Sequence, residues 1–383
     1  MRFLHTADWQ IGKPFQSIED PAKRESLRQQ RVETIRRLRA VIETEKLEFV
    51  LVCGDLFDSA TPDKATVSAL CSAVGSLEVP VYAIPGNHDH GGPGCIWEQA
   101  FFLREQDKLA PNFHILLKPE PLILEDAVLL PCPLERRHVS GDPTRWLQTA
   151  PEALPTDRPW IVLAHGSTQG FSSAGDEDKA EAINQIDLSK LPFAAYDYIA
   201  LGDWHGMKQI QPNAWFSGTP EQDRFAKGSN NQPGHALIVD LTERGRAPAV
   251  TPVPTGCIGW HEPDAFQLMD DAALDSLESQ LDTLLGNRTS TDLLKLTVSG
   301  TLSLAGGDRF DALVQSLRAR LIRLRLQSQL TIEPSEAELD ALTQRQDPLI
   351  AQVACELRDR SDPLARQALR ELHIQCLNAA APN

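Results

Sequence analysis

The sequence predicts a layered α/β fold that is followed by a smaller α+β domain. Short apolar runs of strand length alternate with stretches of helical periodicity through the first two thirds of the chain. Five of the apolar runs end in polar or glycine-rich residues, as in sheets that bind ligands beyond the carboxyl ends of their strands. A proline-rich stretch at residues 244–256 separates this part from an α-β-α-β order of elements.

The elements of the first part follow from the positions of the apolar residues. Helices are predicted at residues 21–46 and 66–77, because apolar side chains there lie near helical spacing. Strands are predicted where short apolar runs end in polar or glycine-rich residues, at 2–6, 48–53, 79–84, 160–164 and 196–201. Hairpin-like strands are expected at 214–217 and 235–241.

The elements after the proline-rich stretch form a second, shorter series. Helices are predicted at residues 270–285 and 309–322, and strands at 293–298 and 324–330. From residue 340 onward the pattern is helical, with breaks at Pro348 and Pro363. We therefore expect domains at 1–255 and 256–335 and a helical segment at 336–383.

The composition is that of a globular protein with an acidic balance. The 383 residues suit about two domains, and the formal net charge is −16. The seven cysteines form no CxxC pair, and no apolar run approaches the ~20 residues that span a bilayer. With no signal peptide at the N-terminus, we expect a cytoplasmic protein without a membrane partner. The charge argues against a surface that binds nucleic acid throughout, but it leaves a local basic path open.

Hard ligands of the kind that divalent metals use follow the predicted strands. They are Asp8, Asp55, Asn87, His165, Asp203 and His205. Each aspartate alone is more typical of a turn or a helix cap, Asn87 alone is typical of a turn, and each histidine alone is more often structural or solvated. Together, the segments GDLFD at 54–58, GNHD at 86–89, AHG at 164–166 and GDWHG at 202–206 predict a site for two metal ions at one sheet edge.

These segments resemble the calcineurin-like metallophosphoesterases. The resemblance implies a β-sandwich flanked by helices, and its motifs cover roughly residues 1–225. The opening HTADWQIG and the overall length resemble, more closely, the nuclease subunits of SbcD-type DNA repair exonucleases. The last third resembles the DNA-capping domain of those subunits in its α-β-α-β order.

The resemblance implies a role for each candidate residue. Asp55 would bridge both metals, Asp8 and His205 would bind the first, and the second would be bound by Asn87, His165 and Asp203. His88 would lie over the scissile phosphate and stabilise its charge, and Asp89 would orient the His88 ring. A metal-activated hydroxide would be the nucleophile.

Two positions depart from the pattern of the family. The Asp-X-His that usually follows the first strand is Asp8-Trp9-Gln10 here, and the usual Gly-His-X-His has Asp203 in place of its first histidine. Two imidazoles are thereby replaced by oxygen donors, which favours two ions of Mn²⁺, or Mg²⁺, over Zn²⁺. Alternatively, Gln10 binds no metal and the first metal site is weak or absent.

The resemblance implies a Mn²⁺-dependent DNA nuclease for repair. It would act as an exonuclease on double-stranded ends and as an endonuclease on single strands, with an SMC-like coiled-coil ATPase of the SbcC type as its partner. The segment 336–383 is a candidate docking element, and a homodimer is a further assembly that we consider. The alternatives are a phosphoesterase for small substrates, such as cyclic nucleotides or phosphomonoesters, and a non-catalytic subunit with a crippled first metal site.

Two groups of basic residues are candidates for phosphate contacts. The arginines of the helix at 21–46 are explained more simply by a solvated face with i,i+4 ion pairs. The denser run near the end of the second domain could follow a DNA backbone, and consists of Arg318, Arg320, Arg323 and Arg325.

Overall fold

The computed structural model describes residues 1–149, 154–168, 183–191, 195–226, 231–335, 337–338, 340, 348–360 and 362–380. The chain divides into two compact units, Met1–Ile258 and Gly259–Asn383. The three functional segments expected from the sequence stay a prediction, because compactness alone assigns no role. Among the described residues, no helix has the length and apolarity needed to cross a membrane.

The first unit contains two large sheets and a small strand pair. Its strands are, in chain order, β1 (Arg2–Thr6), β2 (Phe49–Cys53), β3 (Val81–Ile84), β4 (Phe113–Ile115), β5 (Leu122–Ile123), β6 (Val128–Cys132), β7 (Trp160–His165), β8 (Ser167–Thr168), β9 (Gln185–Ile186), β10 (Tyr198–Gly202), β11 (Lys208–Gln211), β12 (Ala214–Phe216), β13 (His235–Asp240) and β14 (Ala249–Pro254). The first sheet has the order β14-β13-β1-β2-β3-β4, and the second has the order β11-β12-β10-β7-β6-β5. The pair β8-β9 stands outside both sheets.

Helices cover the outer face of the first sheet. They are α1 (Pro21–Glu45), α2 (Lys64–Gly75) and α3 (Ala100–Leu109). Helix α1 begins at Pro21, where proline suits the first helical position. The carboxylate of Asp20 caps the helix by accepting from the amides of Ala22 and Lys23. Asp63 caps α2 in the same way, through the amide of Thr66. Short 3-10 helices lie at Ile96–Glu98, Arg145–Thr149 and Leu188–Lys190.

The two sheets of the first unit pack face to face. The core between them contains side chains from both, among them Phe3 and Leu51 of the first sheet and Ile161 and Ala200 of the second. A second core lies between the first sheet and its helices, where Ile35 packs with Val50. The mixed α/β fold predicted from the sequence, a sandwich of sheets flanked by helices, is confirmed.

Several elements differ from the sequence prediction. The segments near residues 214–217 and 235–241 do not pair with each other, since β12 belongs to the second sheet and β13 pairs with β1 in the first. The proline-rich boundary contains β14, which tolerates Pro252 and Pro254 because it is the edge strand of its sheet. Strand β6 lies beside β7 and was not predicted.

The second unit is a four-stranded sheet with helices. Its elements are β15 (Gly259–His261), β16 (Phe266–Leu268), α4 (Ala272–Leu285), β17 (Asp292–Leu302), α5 (Leu304–Arg320), β18 (Arg323–Ile332), α6 (Pro348–Arg358) and α7 (Pro363–Ala380). Strand β17 pairs with β18 on one side and with β15 and β16 on the other, all in parallel. The two prolines expected as breaks are the first residues of α6 and α7, where a missing N–H costs nothing.

Candidate metal centre

The side chains predicted as ligands follow strands whose carboxyl ends meet at one edge. Strands β1, β2 and β3 run parallel in the first sheet, and β7 and β10 run parallel in the second. The two edges come together, because the amide of Asp203 after β10 lies 3.2 Å from both carboxylate oxygens of Asp8 after β1. This convergence is the one that the sequence pattern predicts.

Three of the predicted residues form a buried group that could hold a metal ion. Asp8, Asp55 and His165 each place one ligand atom within 4.8 Å of the others. Asp8 and His165 are 0% exposed and Asp55 is 2% exposed. Buried charges of this kind are normally paired or bound to a metal.

The ring of His165 is oriented as a metal ligand requires. Its Nδ1 donates to the carbonyl oxygen of Cys53 at 2.7 Å, so that Nε2 faces the carboxylates. This Nε2 lies 3.1 Å from Asn87 Oδ1, 3.6 Å from Asp55 Oδ1 and 4.0 Å from Asp203 Oδ1. A lone pair surrounded by oxygen atoms needs a cation between them, which is either a proton or a metal ion. The donor set therefore fits a divalent ion.

The pKa values of the group reflect the same crowding of negative charge. Burial alone lowers the pKa of His165, but the carboxylates of Asp55, Asp8 and Asp203 outweigh it and raise the pKa to about 9. Burial raises the pKa of Asp8 to about 6, although His205 and His165 oppose the shift. The raised pKa of His165 thus shows that the surrounding carboxylates favour a cation at this position.

The backbone of the ligand loops is held in a costly conformation. Asp8, Asp55 and Asp203 have φ values of 56°, 55° and 104°, in the left-handed region that residues with a side chain seldom adopt. The glycine before Asp55 is required for close approach, because a Cβ on Gly54 would lie 2.2 Å from Nδ1 of His165. Strain at these loops is compatible with a site that the surrounding fold positions in advance.

His88 lies at the mouth of the group. Its side chain is 28% exposed, and its Nε2 lies 3.9 Å from Asp55 Oδ2. Its Nδ1 donates to the carbonyl oxygen of Asp58 at 2.7 Å. The amide of His88 also donates to Asp55 Oδ1 at 2.9 Å. The imidazole is therefore fixed beside the metal group while its outer nitrogen remains accessible to a substrate.

The carboxylate of Asp89 makes different contacts from the one expected with His88. The family resemblance implies that Asp89 orients His88, but the ring of His88 donates to the carbonyl oxygen of Asp58 instead. The fully buried carboxylate of Asp89 accepts from the amides of Gly86, Leu56 and Phe57. It thereby joins the loop after β2 to the loop after β3. Burial, reinforced by the charge of Asp55, raises the pKa of Asp89 to about 7.

His205 and Gln10, the residues expected to bind the first metal, contact Asp223, Lys13 and each other. Nδ1 of His205 is 3.1 Å from Asp223 Oδ1, and its Nε2 is 3.5 Å from the amide nitrogen of Gln10. The amide oxygen of Gln10 accepts from Lys13 Nζ at 2.6 Å. In the described residues, the group that could hold a metal does not include His205. Whether Gln10 and His205 bind an ion stays a prediction.

Two residues near the group were not identified from the sequence. The buried Asp223 lies in residues 217–225, which follow the last motif, and an acid in that position was the available signal. Arg31 of α1 was expected on a solvated face, but it is 2% exposed. Its guanidinium donates to the carbonyl oxygens of Trp9, Asp8 and Glu221.

The four arginines predicted to bind DNA are divided within the second unit. Arg318 and Arg320 lie in the last turn of α5, and Arg320 donates to the carbonyl oxygen of Gly286 at 2.7 Å. Arg323 and Arg325 lie on β18, where alternate residues such as Leu324 pack toward the helices. Because side chains alternate along a strand, both of these arginines lie on the sheet face away from the helices. The run therefore forms two basic groups, and its role in DNA binding stays a prediction.

Comparison with a family model agrees with this geometry. A model of the calcineurin-like phosphoesterase family matches residues 1–207. Among solved structures, the chain is similar to TT1561 of Thermus thermophilus, with 12% identity and a TM-score of 0.40, over 66% of this chain and 98% of that one. It is also similar to GAP50, the anchor in the inner membrane complex of Plasmodium, with 12% identity and a TM-score of 0.38, over 67% of this chain and 84% of that one.

Proposed function

The chain belongs to the calcineurin-like phosphoesterase family of metal-dependent hydrolases, and from that premise we propose that it is a nuclease that hydrolyses phosphodiester bonds of DNA. The observation that carries the proposal is the buried group of Asp8, Asp55 and His165 with His88 at its mouth. Such an arrangement can bind a phosphate ester through a cation and stabilise the charge that develops on it.

One set of residues would bind the divalent ion, and His88 would transfer a proton. Asp8, Asp55 and His165 would hold a divalent ion, with Asn87 and Asp203 beside them. When bound, that ion supplies a Lewis acid and lowers the pKa of water. Because Nδ1 of His88 donates to Asp58, Nε2 accepts a proton in the neutral ring and donates to a phosphate oxygen or to the leaving group only as an imidazolium.

We propose Mn²⁺ as the working ion, with Mg²⁺ as the second candidate. The side chains around the group offer three carboxylates and one amide oxygen against one imidazole, those of Asp8, Asp55, Asp203, Asn87 and His165. A set dominated by oxygen favours these hard ions over Zn²⁺.

DNA as substrate is supported by features outside the metal group. The opening HTADWQIG resembles SbcD-type nuclease subunits, and a second unit of Gly259–Asn383 follows the family domain. We further propose a coiled-coil ATPase of the SMC type as the partner. The exposed apolar side chains of Leu349 on α6 and Leu364 on α7 support it, because they suit a helical docking element.

The test is Mn²⁺-dependent degradation of a linear end-labelled duplex, with a small chromogenic phosphodiester in parallel. His88→Ala is expected to lower both activities by about 10²–10⁴-fold, the usual contribution of a positioned acid or base. His114→Ala is the matched control, since His114 is an exposed histidine on the edge strand β4. Turnover of the small ester alone would refute the DNA substrate and favour a small-substrate phosphoesterase. No turnover of either ester would refute catalysis.

A further inference from the structure

The side of the centre near His205 contains two fixed cations. Lys13 Nζ lies 3.0 Å from Asp223 Oδ2 and 3.4 Å from Asp58 Oδ1. Arg224 Nε lies 3.3 Å from Asp223 Oδ1. The side chain of Asp223 is 1% exposed, so it anchors both cations from a buried position. The side chain of Lys13 is 21% exposed and that of Arg224 is 41% exposed, so solvent screens the pair of Lys13 with Asp223 less than the pair of Arg224 with Asp223.

Gln10 presents the wrong atoms for a metal ligand at this position. Its oxygen, which could coordinate an ion, accepts from Lys13 at 2.6 Å. Its amide nitrogen, which cannot coordinate, lies 3.5 Å from Nε2 of His205. The lysine thus uses the donor atom that Gln10 would need for a metal.

Nε2 of His205 is likewise close to groups that donate protons. Arg224 Nη2 lies 3.1 Å from Nδ1 and 3.2 Å from Nε2 of the ring. Nε2 therefore faces N–H groups of both Arg224 and Gln10. Since a divalent ion is repelled by a guanidinium and an ammonium at such distances, this position does not fit a second ion.

We propose that the chain holds one divalent ion, at Asp8, Asp55 and His165, and that Lys13 and Arg224 supply beside it the positive charge of a second ion. The proposal rests on the proposed function only in that the substrate is a phosphate ester. An ammonium and a guanidinium can donate to phosphate oxygens, and the guanidinium can do so with two parallel hydrogen bonds. Neither can replace an ion in the activation of water, so the remaining ion keeps that task.

The ion count of the full-length chain tests the proposal directly. The purified protein is stripped of metal and titrated with Mn²⁺ by calorimetry, and the complex is examined by electron paramagnetic resonance. We expect one Mn²⁺ per chain and the six-line spectrum of an isolated ion. Two Mn²⁺ per chain with an exchange-coupled spectrum would overturn the proposal.

Three variants assign the ion to its residues. His165→Ala is expected to weaken Mn²⁺ binding by about 100-fold or more, the upper end of what a disturbed ligand set costs, whereas His205→Ala keeps one ion per chain. A fall from two ions to one in His205→Ala would overturn the proposal. The triple substitution Gln10→His with Lys13→Met and Arg224→Met, which supplies an imidazole and removes both cations, is expected to bind a second ion. Should this variant fail to fold, the counts for wild type and His205→Ala decide the matter alone.

The Mn²⁺ titration and the hydrolysis assay test the ion count and the proposed function independently. One Mn²⁺ per chain without hydrolysis of either ester supports the single ion at Asp8, Asp55 and His165 and refutes the nuclease. Two Mn²⁺ per chain with duplex degradation refutes the cation substitution and leaves the nuclease in place. Zero bound Mn²⁺ refutes both.

Discussion

Left-handed backbone at single residues places the ligands of the metal group. Asp8, Asp55 and Asp203 share this conformation, and Gly54 adopts it immediately before Asp55, with a φ of 87°. Each such residue costs about 1–3 kcal/mol, and the surrounding structure offsets this cost when the protein folds. The ligand loops therefore do not have to be reorganised when a cation arrives.

Gly54→Ala tests whether close approach at this residue serves the metal. An added Cβ would lie 2.2 Å from Nδ1 of His165 and displace the ring. We expect Mn²⁺ affinity to fall by about 10–100-fold, as when a ligand loses its orienting contacts. Gly245→Ala is the matched control, because Gly245 also has a positive φ, of 77°, but its Cβ would meet nothing within 4 Å. Equal Mn²⁺ affinities in the two variants, measured by calorimetry, would contradict the role of Gly54.

The pH dependence of Mn²⁺ affinity follows from two side chains of the group. His165 and Asp8 must lose their protons to coordinate an ion, and their pKa values are raised to about 9 and about 6. Affinity should therefore rise with pH, by about tenfold per unit between the two pKa values and more steeply below the lower one. Calorimetry in buffers of different ionisation enthalpy would count the protons released. A flat affinity between these two pKa values would exclude the shift at His165.

At the scale of elements, helix α1 holds the loop after β1 through one side chain. Arg31 reaches the carbonyl oxygens of Asp8, Trp9 and Glu221 from a buried position. Burial lowers the pKa of its guanidinium, against the nearby carboxylates of Asp223 and Glu221. The helix is thus joined to two loops of the centre, and its stability and the shape of the site are coupled.

Arg31→Met should be strongly destabilising. The substitution leaves three buried carbonyl oxygens without their donor, so we expect a loss of about 3–5 kcal/mol in the free energy of unfolding. Arg28→Met is the matched control on the same helix, where an exposed pair with Glu25 at 3.4 Å should contribute less than about 1 kcal/mol. Urea unfolding of both variants measures the difference, and a loss as small as that of the control would refute the bridge.

The sequence predicted local features better than distant contacts. The strand ends that carry Asp8, Asp55 and His165 were predictable, because each motif combines an apolar run with a polar residue that follows it. Arg31 was not, since its partner Glu221 lies 190 positions away and a helical arginine usually faces solvent. The same holds for the pair of Asp89 and Leu56, 33 positions apart, which replaced the expected contact with His88. Contacts of this kind depend on sheet order, and periodicity does not encode it.

At the scale of the whole molecule, the acidic chain needs a local basic surface to bind DNA. The net charge of −16 opposes a polyanion at long range. Arg323 and Arg325 lie together on the face of the second unit's sheet that is opposite the helices, since alternate leucines of β18 face the helices. These two side chains are the best candidates for backbone contacts.

Arg323→Gln with Arg325→Gln should weaken duplex binding without changing turnover of a small phosphodiester. Each lost phosphate contact lowers the slope of log affinity against log salt by about one, so a decrease of about two is expected. Arg309→Gln is the control, because Arg309 of α5 is an exposed arginine that pairs with Glu278 and Asp275. Filter binding across a salt series provides the slopes. An unchanged slope in the double variant would place the DNA elsewhere.

The position of β1 inside its sheet has a consequence for synthesis on the ribosome. This strand is made before both of its neighbours in the sheet, β2 and β13. The nascent chain therefore carries an incomplete sheet edge until almost the whole first unit has emerged, and such edges can pair with other chains. The loop of Asp8 is also not fully held until Arg31 can donate to the carbonyl oxygen of Glu221, which is synthesised much later. The metal group can therefore form only late in translation. Until then β1, which precedes Asp8, pairs with β2 but not with β13.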